Sequence, residues 1–76
     1  MTLTIEVYCS SALQAQEAIK DSPYLKGALN QESTNVWSAE LDDDEDYIEN
    51  FEEALREQLF NFGIRSDDYT ITKIQD

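Results

Sequence analysis

Residues 44–63 read DEDYIENFEEALREQLFNFG. Within them Tyr47, Ile48, Phe51, Ala54, Leu55, Leu59 and Phe62 recur at i, i+3, i+4 and i+7, which predicts an amphipathic helix from Asp44 to Phe62. Asp42 or Asp43 stands where a helix is capped, and Gly63 where one ends on a left-handed residue. One compact domain is expected from 76 residues, 41% of them hydrophobic, with two Gly and one Pro.

Toward the N-terminus, Leu3, Ile5, Val7 and Cys9 alternate with Thr2, Thr4, Glu6 and Tyr8, the period of a half-buried strand. Ser10 or Ser11 can cap a following helix in which Ala12, Leu13, Ala15, Ala18 and Ile19 recur at helical spacing. Asp21-Ser22-Pro23 stops that helix near Lys20. Tyr24 to Asn30 fits a further helical turn or an edge strand, and the strand is preferred. Asn30-Gln31-Glu32-Ser33 reads as a turn. Thr34 to Leu41 reads as a strand with Val36 and Ser38 on one face and Trp37, Ala39 and Leu41 on the other, Trp37 toward the core. Tyr69 to Ile74, rich in β-branched residues, is the last strand.

The resulting order, β-α-β-β-α-β, resembles the ferredoxin-like split βαβ plan: a four-stranded antiparallel sheet with two helices on one face. A helical Tyr24 to Asn30 would leave three strands with two or three helices. Either way the class is α+β, and the fold alone names no function.

The chain carries 17 Asp+Glu against 5 Lys+Arg and no His, a net charge of -12. From Glu40 to Glu57 there are ten acids (Glu40, Asp42, Asp43, Asp44, Glu45, Asp46, Glu49, Glu52, Glu53, Glu57) and one base, Arg56, a local sum of -9. On a helical wheel Glu45, Asp46, Glu49, Glu52, Glu53 and Glu57 oppose Tyr47, Phe51, Ala54, Leu55 and Phe62. Glu45, Glu49, Glu53 and Glu57 form a ladder with an acid about every 6 Å and no Lys at i+4 to relieve it. Helix capping and the helix dipole account for the first acids, but not for Glu52, Glu53 and Glu57 in the half where cations are preferred. From Asp44 to Glu57, roughly 20 Å of helix, the strip carries about half the roughly twelve charges that duplex DNA bears over that length.

Phe60 falls inside the acidic arc, as an exposed binding anchor or as a side chain folded over the Gly63-Ile64 turn or under the Ser66 to Asp68 loop. Tyr8, beside Glu6, is a second candidate contact, but ordinary strand propensity is the better explanation of it.

Several chemistries are excluded. Without His there is no Ser-His-Asp or Cys-His arrangement, and solvated carboxylates make poor general acids or bases, so no enzyme and no cofactor is expected. Cys9 sits where a strand meets a helix N-terminus, as a redox thiol would. It has no Cys-x-x-Cys partner and continues the buried alternation, so an inert core cysteine is expected. Asp42 to Asp46 lacks the spacing of a calcium loop, and no metal site is expected. Such acidity repels nucleic acid and anionic membranes, and no apolar run is long enough to span a bilayer. The first twenty residues have neither the basic nor the apolar region of a signal peptide, and a cytoplasmic protein is expected.

A basic partner is the natural complement. The expectation is a small acidic inhibitor that mimics the charge of DNA and occupies the basic groove of a nucleic-acid-binding protein or complex. Its contacts would come from Asp42, Asp43, Asp44, Glu45, Asp46, Glu49, Glu52, Glu53, Glu57 and Phe60, with Tyr47 at the margin. In size and charge this is similar to small phage inhibitors of restriction enzymes and of CRISPR effectors, a likeness of class without a shared motif. The rival is a regulatory or adaptor module, monomeric or homodimeric through a sheet edge, whose acidity serves solubility. A small-molecule sensor or enzyme is the least favoured reading.

Overall fold

The computed structural model describes residues 1–75 as an α+β domain in which a four-stranded antiparallel sheet carries three α-helices. The strands are β1 (Thr2–Val7), β2 (Asn30–Ser33), β3 (Val36–Glu40) and β4 (Tyr69–Ile74). The helices are α1 (Ala12–Lys20), α2 (Pro23–Ala28) and α3 (Glu45–Asn61). The sheet order is β2-β3-β1-β4. β1 is therefore central, pairing Ile5 with Trp37 on one side and with Ile71 on the other. Its alternation sends Leu3, Ile5 and Val7, all at 0% exposure, into a core with Trp37, Ala39 and Leu41 from the β3 side. The helices close that core with Ala15, Ala18 and Ile19 of α1, Leu25 of α2, and Ile48, Phe51, Leu55 and Leu59 of α3.

The order is β-α-α-β-β-α-β rather than β-α-β-β-α-β, because the segment expected as a second strand is a helix. Ser22 and Pro23 start it. Pro at the first helical position has no N–H to leave unpaired, Ser22 Oγ accepts from the Leu25 N–H at 3.4 Å, and the Ser22 carbonyl accepts from Lys26 N–H at 2.8 Å. Leu25 and Leu29, four residues apart, are both buried. The sheet still has four strands, since Asn30–Ser33, expected as a turn, is itself β2. It is exposed throughout and, among the described residues, paired only to β3, with a bulge between Gln31 and Ser33. The turn lies at Thr34-Asn35.

Three further expectations need correction near α1. β1 ends at Val7, and the chain then turns through a 3-10 segment, Cys9–Ser11, so Cys9 is exposed and free rather than a core residue. Ser11 stands at the N-cap of α1 but its side chain makes no capping bond. Leu13 is 76% exposed, because α1 buries the stripe Ala12, Ala15, Ala18 and Ile19 and Leu13 lies about 100° away from Ala12.

For α3 the cap is Asp44, whose Oδ1 accepts from the N–H groups of Asp46 at 3.0 Å and Tyr47 at 3.3 Å. At the other end Gly63 adopts φ +82. Its N–H donates to the Phe60 carbonyl and that of Ile64 to the Leu59 carbonyl, both at 2.9 Å. This is a Schellman closure, and the residues it brings together, Leu59 and Ile64, are both buried. A Cβ on Gly63 would meet only Gln14 Nε2, at 3.9 Å, so the penalty for substitution is conformational. Gly63→Ala is expected to lower stability by about 1–2 kcal/mol. Gly27→Ala, inside α2 with open space around the added Cβ, is expected to raise it by about 0.5–1 kcal/mol. Urea midpoints of the two variants should move in opposite directions.

Candidate protein-interaction surface on the third helix

Because Ile48, Phe51, Leu55 and Leu59 hold one side of α3 against the core, its opposite side is turned to solvent. Asp42, Asp43, Asp44, Glu45, Asp46, Glu49, Glu53, Glu57 and Phe60 are all exposed. Asp44 is committed to capping the helix, and Asp43 Oδ1 accepts from Gln75 Nε2 at 3.0 Å. Glu45, Glu49, Glu53 and Glu57 follow one another at about 6 Å of rise, and among the described residues none of them is in an ion pair. Phe60 is 72% exposed, so its ring is not packed beneath the Ser66 to Asp68 segment.

Glu52 departs from the outward strip. Its side chain is only 17% exposed and leans over β4, where Oε1 accepts from Lys73 Nζ at 2.6 Å and Oε2 from Arg56 Nη2 at 3.0 Å. The hydrogen bond from Lys73, and then that from Arg56, hold the Glu52 carboxyl below the usual carboxylate range against an opposing desolvation. Arg56 also donates from Nη1 to Tyr69 Oη at 3.1 Å and lies over the Tyr69 ring, 5.4 Å from its centre. These four side chains clasp α3 to β4. A helical wheel placed Glu52 among the partner contacts because Lys73, on a strand 21 residues away, does not figure on the wheel.

A trough follows the seam between α3 and β4. A hollow of about 340 Å³ lies among Glu45, Ile48, Glu49 and Lys73, and another of about 290 Å³ among Glu49, Glu52, Glu53, Arg56 and Lys73. At the C-terminal end of α3 it widens into an open groove of about 780 Å³, bordered by Glu53, Glu57, Phe60, Ile64, Arg65 and Tyr69. Ile64, Arg65 and Tyr69 were not singled out in the sequence. Ile64 becomes visible only as the apolar residue that follows a Schellman glycine.

Tyr47 is 37% exposed and sits near Tyr24 of α2, which is 47% exposed and sets its ring edge against Phe51, 5.6 Å between centres. Burial first, then the hydrogen bond and charge of Tyr47, push the Tyr24 hydroxyl up to about 12. Tyr8, 65% exposed, lies beyond the end of β1. Among the described residues no group of three or more His, Cys, Asp or Glu is placed to hold a metal ion, and no helix is long and apolar enough to cross a membrane.

A carboxylate with a lowered folded pKa stabilises the fold above its unfolded pKa, and that contribution is lost as the pH falls through the folded value. Glu52→Gln is expected to cost about 0.5–1 kcal/mol at neutral pH. The difference from wild type should narrow as the pH falls below the ordinary carboxyl value of 4.5, which parallel urea titrations at neutral and acid pH would measure. The outward row gives a second expectation: added salt raises the melting temperature by screening like charges, and a melting temperature indifferent to salt would contradict it. The chain matches no protein family, no curated protein and no solved structure.

Proposed function

We propose that this protein is a small cytoplasmic inhibitor that occupies the basic groove of a nucleic-acid-binding protein or complex, presenting α3 in place of the nucleic-acid backbone. The observation that carries the reading is the division of the acids on α3. Glu52 is neutralised internally by Lys73 and Arg56, while Glu45, Glu49, Glu53 and Glu57 stand exposed in a row. A row of like charges at i, i+4 weakens a helix by a few tenths of a kcal/mol per pair, and the dipole disfavours the later acids further. Capping accounts for Asp44 and leaves Glu53 and Glu57 without a structural purpose.

A row of this kind steers association with a Lys/Arg-lined channel, since complementary fields raise the rate of encounter. Phe60, exposed at the rim of the groove among Glu53 and Glu57, supplies the desolvated contact that slows dissociation. The double substitution Glu49→Lys with Glu53→Lys reverses the centre of the row without touching the buried stripe. Immobilised wild-type protein is expected to retain a basic nucleic-acid-binding protein from a lysate at low salt, and the double variant to lose it. Retention by the variant at undiminished affinity would overturn the proposal.

A further inference from the structure

The two edges of the sheet are built differently. β2 is four residues long, carries Glu32 and is bulged, features that discourage the addition of another strand. β4 is six residues long, pairs with β1 in unbroken register, and reads YTITKI, with four β-branched residues, no acid and no proline. Its one charge, Lys73, is paired with Glu52 at 2.6 Å, so the charge presented beside this edge is that of the exposed acids of α3.

The ladder identifies what this edge offers. The Tyr8 N–H donates to the Asp68 carbonyl at 3.0 Å. Bonded and non-bonded pairs alternate in an antiparallel ladder, so Glu6 with Thr70, Thr4 with Thr72 and Thr2 with Ile74 are the bonded pairs. The N–H and C=O groups of Tyr69, Ile71 and Lys73 therefore point away from β1. Among the described residues no hydrogen bond reaches them.

The same three residues face α3, since Lys73 reaches Glu52 and Tyr69 lies beneath Arg56. Residues of an added strand opposite them would share that side, with side chains at alternate positions about 6.7 Å apart. The carboxylates of Glu49, Glu53 and Glu57 recur at about 6 Å along the trough that borders this seam. The two spacings are close, and Glu49 and Glu53, which share a hollow with Lys73, are the acids nearest such a strand.

We infer that an extended Lys- or Arg-rich segment of the basic partner adds to β4 as a fifth strand, its alternate side chains on the carboxylate row and its end against Phe60. The inference rests on the charge-directed reading above and gives it a geometry. Charge decides the occupant. A second copy joined through β4 would bring two carboxylate rows together, whereas a basic strand neutralises one.

The test titrates the 15N-labelled protein at low salt with an alternating Lys-Thr peptide and with a peptide of the same composition whose lysines form one block. The alternating peptide is expected to bind about tenfold tighter and to slow amide exchange at Tyr69, Ile71 and Lys73. A synthetic chain N-methylated at Ile71, which loses one outward donor and keeps its side chain, should lose that preference. The two-peptide comparison on wild-type protein stands even if this variant folds poorly. Equal binding of both peptides without slowing at the three amides would overturn strand addition and leave the charge reading standing. No binding of either peptide would overturn both. Slowing that grows with protein concentration in the absence of peptide would make a second copy the occupant and overturn the inference.

Discussion

The core that the apolar stripe of α3 shares with β1 is the constraint on which the rest of the molecule depends. Phe51, Leu55 and Leu59 of the helix, with Leu3, Ile5 and Val7 of the strand, all have 0% exposure. A helix with uncompensated acids on its outer side gains little from its own sequence, and its stability comes from burying its apolar stripe. Once that stripe is fixed, the orientation of every carboxylate on α3 is fixed with it. The Schellman closure at Gly63 sets where the helix stops and returns the chain, by way of buried Ile64, toward the start of β4. The Glu52, Lys73, Arg56 and Tyr69 clasp then sets how the helix lies over that strand.

Much of this was legible in the sequence for one reason: elements with one buried face repeat their apolar residues at the period of their geometry. That period marked α3, the central strand and the inward face of Trp37. It failed where burial does not govern conformation. β2 is exposed at every residue, so it has no alternation to find. α2 is six residues long, too short for its period to separate from a strand's, and the decisive signal was the capping chemistry of Ser22 and Pro23. Cys9 followed the alternation of β1 in sequence, but the strand had already ended at Val7. Of the site, the exposed row Glu45, Glu49, Glu53 and Glu57 could be placed from the wheel alone. The fate of Glu52 could not, because it is decided by a lysine on another element.

Charge and topology act together on this face. An acidic surface by itself attracts any basic protein, weakly and without register. Here the row of acids runs beside an open strand edge whose outward backbone groups have no partner among the described residues, and the trough between them ends at an exposed phenylalanine. Steering, register and anchoring would thus be supplied by three neighbouring elements, each held in place by the same core. The self-repulsion of the row is the cost, of the kind that proteins bear where function opposes stability.

In the proposed complex α3 and nucleic acid exclude each other from the partner's groove. The most direct measurement is competition: the captured partner is held on immobilised protein and challenged with excess duplex DNA. DNA is expected to release the partner. A partner that takes up DNA while it remains bound to the protein would contradict it.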